Sequence, residues 1–424
     1  MNKRIYSGIL LCILALGSYG QSGTNSPYSQ YGIGVLSDPS QGFNRGMNGV
    51  GLALRRGDVV NTLNPASYSA VDSLTMLFDV GLSGQLANFK ENGASVNAKN
   101  ADFDYAVGHF RLHRGLGMSF GLLPLSSVGY NYSTSNYLNR TDGSVTSTYK
   151  GEGGLRQAFV GVGARVLPQL SVGLNAAYLW GSIDRQVITS NTTYINSLQK
   201  YYSASVSSYK LDFGLQWTQR LTATDQLTVG ATVGVGHKFG DDADCLIVNA
   251  RTTGTRDTTT LTVSDALQLP MTYGLGLAWT HGSQLLIAAD VSLQQWGSLD
   301  FPVSSDNTYE LRSGVLKDRW KVGVGADYVP HSMSQHYLQR VHYRVGAGFS
   351  TPYYYINGQD GPKELSASIG FGLPLQNRYN NRSVLNVSAQ WVRTSASSFI
   401  TENTFRLNIG LTFNERWFSK WKVE

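Results

Sequence analysis

Four cations stand at alternate positions within segments of period-two sequence: Lys210, Lys321, Arg344 and Arg406. An ammonium or an arginine fork on the inner face of a cavity could hold a carboxylate head group. Asp212, Asp290 and Asp327 lie on the same faces, and a buried charge needs a partner. These residues therefore point first to ion pairing within a lumen, with Arg344 or Lys321 expected to meet Asp290 or Asp327. Other reactive groupings carry less. His109 and His113 are four apart, a metal spacing only on a helix, and here they fall on a strand and its turn. Asp241, Asp242 and Asp244 precede Cys245 without the Gly and Glu spacing of a calcium loop, and read as a solvated acidic loop. Gly234-Val235-Gly236 and Gly323-Val324-Gly325 open no helix, so no dinucleotide site follows. No Ser and His are forced together by their strand positions. No enzyme, cofactor or metal centre is expected.

The elements that position these charges are strands. Phe405, Leu407, Ile409, Leu411 and Phe413 alternate with Arg406, Asn408, Gly410 and Thr412. The same period runs through 383–394, 338–351, 317–329, 284–297 and 203–220. The remaining strands are read at 74–86, 102–112, 115–128, 145–167, 170–186, 225–240, 266–280, 363–374 and 403–414. These make fourteen. The connections alternate between tight, as at His113-Arg114 and Pro168-Gln169, and long and polar, as at Asn88–Ala101 and Asp241–Ala266. Trp180, Trp217, Trp279, Trp296, Trp320, Tyr328 and Trp391 sit near strand ends, as an aromatic girdle would. The pattern predicts an all-β fold, a transmembrane antiparallel barrel of about fourteen strands over 74–414, with a short periplasmic tail at 415–424. The tenth and twelfth connections, at about eight residues, are longer than the rhythm requires.

The first twenty residues read as a cleavable signal peptide: Lys3 and Arg4, an apolar run from Ile5 to Leu16, and the small residues Ser18 and Gly20 before Gln21. Its removal takes the formal charge from +6 to about +4, and the bases are scattered, so nucleic acid is not an expected partner. Cys245 is then the one cysteine, and no internal disulfide can form. No later stretch approaches a membrane-spanning helix. The chain is placed in a bacterial outer membrane, among its lipids. Residues 21–73 are Gly- and Asn-rich without a period and could fill the barrel as a hatch or trail into the periplasm.

Within that leader, Asn64-Pro65-Ala66 follows the Gly-rich run Arg45–Ala53 and sits just before the first strand. By itself Asn-Pro also starts an ordinary turn. In this position it resembles the Asn-Pro-Ala of the hatch in FadL/TodX outer-membrane transporters, which have fourteen-stranded barrels. The opening Ser26–Gly32 and the ending Phe413–Phe418 look like the branch found in Bacteroidota. The resemblance covers the whole mature chain in architecture. It implies passive uptake of hydrophobic molecules such as fatty acids, a hatch that gates at Asn64, Pro65 and Ala66, and a third strand that opens the wall sideways. Pro124 lies in the third strand and cannot donate to a ladder. It marks either such an opening or merely the end of the spanning part. The same family resemblance also admits a second role, a protein-binding subunit of an outer-membrane assembly or secretion complex, with membrane or periplasmic protein partners. An apolar lumen with a route past the hatch would favour the first role, and a lumen filled by side chains and leader the second.

Overall fold

The computed structural model describes residues 23–73, 75–91, 93–137, 144–191, 197–251, 254–305, 308–375, 383–397 and 399–416. The signal peptide at 1–20 and most of the tail at 415–424 lie outside them.

Fourteen antiparallel strands close into one barrel. They are β1 (Thr75–Glu91), β2 (Ala94–His113), β3 (Leu116–Tyr137), β4 (Ser144–Arg165), β5 (Leu170–Asn191), β6 (Ser197–Arg220) and β7 (Asp225–Gly234), followed by β8 (Thr272–His281), β9 (Leu285–Gln294), β10 (Arg319–Tyr328), β11 (His342–Ser350), β12 (Lys363–Leu375), β13 (Ser383–Ser395) and β14 (Thr401–Arg416). Each pairs with its neighbour in sequence, and β1 pairs with β14 from Thr75↔Arg416 to Lys90↔Thr401, which removes the sheet edge. Closure is what lets strands cross a bilayer, since every unpaired backbone group in hydrocarbon costs several kcal/mol.

The period-two pattern is turned inside out relative to a water-soluble barrel. Leu407, Ile409, Phe413, Ile287, Val322 and Val324 are exposed, and they form the lipid-facing belt. The alternate residues, among them Asn408, Gly410, Leu286 and Asp327, face inward and are buried. Trp217, Trp320, Tyr328 and Trp391 stand exposed on the outer surface. Trp296 does not join them. It is 2% exposed, in the interior of a cap formed by the long connections.

Several long connections prove to be strand. Asn88–Ala101 continues β1 and β2 up to a turn at Gly93. Strands β3 to β6 run for 22, 22, 22 and 24 residues, twice the roughly 9–11 needed to span the hydrocarbon. Their outer halves are ladders of polar on polar, such as Ser133 with Thr148 at 2.9 Å and Ser135 with Thr146 at 3.1 Å. Water wets both faces there, so no hydrophobic period marks them. The acidic loop after β7 is likewise a hairpin, Ala243–Ala250 with Arg256–Val263, added to the outer end of β6. Asp244 accepts from the Thr262 hydroxyl at 2.6 Å, and Asp241 from the Ser207 N–H at 2.7 Å.

Residues 23–73 fold inside the barrel. Their backbone presses on inward-facing wall glycines all the way round. Tyr68 lies on Gly117, Pro65 on Gly173, Leu52 on Gly230, Met47 on Gly325 and Gly346, and Gly46 on Gly370. A Cβ at any of these points would overlap the leader, so glycine is required by close approach rather than by conformation. Replacing Gly173 or Gly346 by Val should displace the hatch, at an overpacking cost of about 1–3 kcal/mol. A Cβ added at Gly84 would meet nothing within 4 Å, so Gly84→Val serves as the control. Thermal unfolding in detergent should fall for the first two and not for the third.

Candidate functional site

The candidate site is the junction between leader and wall. At its first end, Ser26 caps a short 3-10 turn, Pro27–Gln30, by accepting from the Tyr28 N–H. Val35–Leu36 then forms a two-residue strand antiparallel to Ser126–Ser127 of β3, and the Ser37 N–H donates to the Leu125 carbonyl at 3.0 Å. A helical turn, Gly42–Arg45, follows. The second 3-10 turn is Pro65–Ala70.

Asn64 explains why Asn-Pro-Ala begins that turn. Its side-chain oxygen accepts from the Ala66 N–H at 3.1 Å, the capping bond that Asn favours, and Pro65 supplies a fixed first position. Its amide nitrogen donates to the Leu52 carbonyl at 2.8 Å and to the Leu215 carbonyl of β6 at 3.1 Å. Asn64 and Ala66 are wholly buried. The motif thus caps, folds and docks the hatch at one point.

Wall carboxylates hold more of the leader, Asp104, Asp290 and Asp327 among them. Asp104 of β2 pairs with Arg45 at 2.6 Å, and Asn408 of β14 accepts from the same guanidinium at 3.0 Å. Asp290 of β9 accepts from the backbone N–H groups of Gly51 at 2.6 Å and Leu52 at 2.9 Å. Asp327 of β10 gathers Arg344 at 3.0 Å, His342 at 3.0 Å and the hatch residue Arg56 at 3.3 Å. Arg344 also donates to Asn386 at 2.6 Å. The ring of Phe43 lies 4.0 Å from the Arg344 guanidinium and 5.2 Å from that of Arg56, so hatch aromatic and wall cation bind face to charge. Arg56 also pairs with Asp58 at 2.7 Å. Burial opposes ionisation of Asp58, but the adjacent Arg56 outweighs it and holds the acid well below the usual carboxylate range. Asp38 behaves alike: burial raises it, Lys321 and Arg45 pull it down, and it settles at about 2.

The charges singled out in sequence therefore divide. Arg344 and Asp327 are one buried pair, at 2% and 3% side-chain exposure. Lys210 pairs with Asp212 two residues along its own strand. Lys210, Asp212, Asp290 and Lys321 line a cavity of about 260 Å³ beside Asp38 and Pro124. Arg406 donates to Gln85 at 3.1 Å. His109 is buried with its ring 5.3 Å from Tyr68, and His113 ends β2. Among the described residues no group of His, Cys, Asp and Glu is arranged for a metal. Arg45, Arg56, Phe43, Asp104 and His342 were not distinguished by sequence. Arg45, Arg56 and Phe43 sit in a leader without a period, and nothing in the sequence tells Asp104 and His342, on the wall, which leader or wall groups they meet.

Pro124 marks a second feature. The β2–β3 ladder ends at Ala106↔Leu122. Above it, among the wall strands, β2 pairs only with β1 and β3 only with β4, with a register shift between Pro124 and Ser126. The wall is unzipped there, and Val35–Leu36 pairs with β3 where β2 does not. A cleft of about 1130 Å³ opens at this point, lined by residues of the leader, β2, β3 and β4 that include Tyr28, Phe103, Pro124, Tyr130, Lys150 and Arg156.

The family model described as BamG matches residues 1–424. The fold is that of solved outer-membrane channels. A Pseudomonas aeruginosa FadL homologue superposes with a TM-score of 0.63 at 11% identity, over 89% of this chain and 99% of that one. The Pseudomonas putida toluene transporter TodX gives 0.60 at 14%, over 91% and 100%. The Ralstonia pickettii toluene transporter TbuX gives 0.57 at 14%, over 89% and 98%. No curated protein matches in sequence.

Asp327→Ala would leave Arg344 buried without its carboxylate, a loss of about 3–5 kcal/mol for a buried pair broken on one side. Lower thermal stability and faster proteolysis within residues 40–60 are the expected results. An unchanged cleavage pattern would mean that the hatch is held elsewhere.

Proposed function

The chain belongs to the BamG family, and from that premise we propose that it is a protein-binding subunit of an outer-membrane assembly complex, built on a transporter-like barrel and not itself a transporter. The family's name supports membership of a barrel-assembly complex. The single structural observation that carries the reading is the hatch. Its backbone lies on wall glycines of β3, β5, β7, β10, β11 and β12, while β2 and β9 bind it through Asp104 and Asp290. A gate must part from its frame, and parting here would expose Asp104, Asp290 and Asp327 together, three carboxylates that now meet hatch donors. In this reading Asn64, Pro65 and Ala66 anchor a permanent plug, and the charges of the lumen, Lys210, Asp290, Lys321, Asp327 and Arg344, are structural. Residues 1–20 direct export and residues 21–73 act as the plug of a single barrel domain. No reaction is assigned to it.

One observation favours the other reading, uptake of a fatty-acid-like molecule. The unzipped wall beside Pro124 and its cleft of about 1130 Å³ are large enough for an apolar ligand, since such sites commonly occupy about 300–1,000 Å³. In that reading Pro124 is a lateral opening and Asn64-Pro65-Ala66 a gate.

The two separate in one pair of measurements. The barrel purified from its own membrane in mild detergent should carry a stoichiometric protein partner, and reconstituted in liposomes it should pass no long-chain fatty acid. Pro65→Leu should lower thermal stability and leave transport at the background of empty liposomes. Saturable uptake that Pro65→Leu abolishes, with no partner in the purified material, would reverse the assignment.

A further inference from the structure

We propose that the connection between β10 and β11, residues 329–341, is the face by which this barrel holds a periplasmic protein, and that the partner offers an apolar cleft ringed by carboxylates. The inference rests on the scaffold reading above. The other connections described at this end of the barrel are short: 114–115, 166–169, 221–224 and 282–284. This one is long, ordered and apolar at its tip. Val329 and Val341 pin its ends in the interior. Between them Met333 is 87% exposed and Leu338 70%, more than any other large apolar side chain described. The paired Tyr328 and Tyr343 point outward at its base, so the loop begins where the lipid-facing belt ends.

The loop has a shape of its own. The His331 N–H donates to the Gln339 carbonyl at 2.8 Å, Ser334 to the Gln339 side chain at 2.5 Å, and the Tyr343 hydroxyl to the Leu338 carbonyl at 3.1 Å. A preformed loop loses little entropy on docking. Methionine, tyrosine and arginine are also the side chains that interfaces favour as anchors.

Charge selects the partner. No Asp or Glu lies between residues 329 and 341. Arg340 stacks over Tyr337 at 5.5 Å, and its Nε has no hydrogen-bond partner among the described residues. Further round the same end of the barrel, Arg114, Arg165 and Arg220 are exposed at the β2–β3, β4–β5 and β6–β7 turns. An apolar tip that carries Arg340 and no carboxylate complements an acidic rim around an apolar cleft. Lipid is the weaker fit. His331, Ser332, Ser334, Gln335 and His336 surround Met333, whereas a segment lying in a membrane surface presents a continuous apolar face.

The test uses the full-length protein in its own membrane. A photo-crosslinking amino acid at position 333 or 338, with position 222 as control, should capture a protein at the first two sites only, and the captured peptide should be acidic. Met333→Asp combined with Leu338→Asp, and separately Arg340→Glu, should each cut the co-purifying partner at least tenfold, while thermal unfolding of the barrel stays unchanged. Capture of lipid alone, capture of a basic surface, or a partner retained at full stoichiometry by the variants would overturn the assignment of this loop. If the unaltered barrel carries no partner, the scaffold reading itself fails and this inference falls with it.

Discussion

The structure depends on one close approach: the backbone of the leader against the glycines of the barrel wall. A barrel of fourteen strands encloses more space than its inward side chains fill. Here the inward positions are small or polar, and a second stretch of chain occupies the space they leave. Glycine at Gly173, Gly230, Gly346 and Gly370 brings that chain to within van der Waals distance. At that range the wall carboxylates reach the hatch directly. Asp290 accepts from two successive hatch N–H groups, Asp104 from Arg45, and Asp327 from Arg56 and Arg344. Each of these bonds needs the glycine contacts first, because a displacement of one Cβ would take the donor out of reach.

The same constraint explains the break in the wall. A barrel can leave two strands unpaired only where something else meets their backbone groups. Above Ala106↔Leu122, Val35–Leu36 pairs with Ser126–Ser127, and Ser29 bonds to Gly129. Plug and gap are thus one design, with the leader closing the lumen below and lining the cleft above. In the scaffold reading proposed above, that coupling lets a transporter-like barrel hold its leader as a rigid part.

Much of this was legible in the amino-acid sequence, because lipid writes a strong signal. The run from Phe405 to Phe413 alternates without error, since one face meets hydrocarbon and the other does not. The count of strands followed from such runs. Where water meets both faces the signal vanishes, and Asn88–Ala101 and the hairpin from Ala243 read as loops although they are strand. Trp296 looked like a girdle residue because its type and place in the chain cannot distinguish an interface from a cap interior. The pairing of Arg344 with Asp327 could be named from face and charge. The hatch member of that cluster could not, since Arg56 sits in a leader without periodicity and arrives from 271 residues away.

In the proposed scaffold the hatch is a fixed part and not a moving gate. Asn48 donates to the Ser366 hydroxyl at 2.9 Å, hatch to wall. Cysteines at both positions, in a Cys245→Ser background, would allow the hatch to be locked by oxidation. The locked barrel should keep its protein partner and support normal levels of other outer-membrane barrels in the cell. Loss of either on oxidation, restored by reduction, would contradict a fixed hatch.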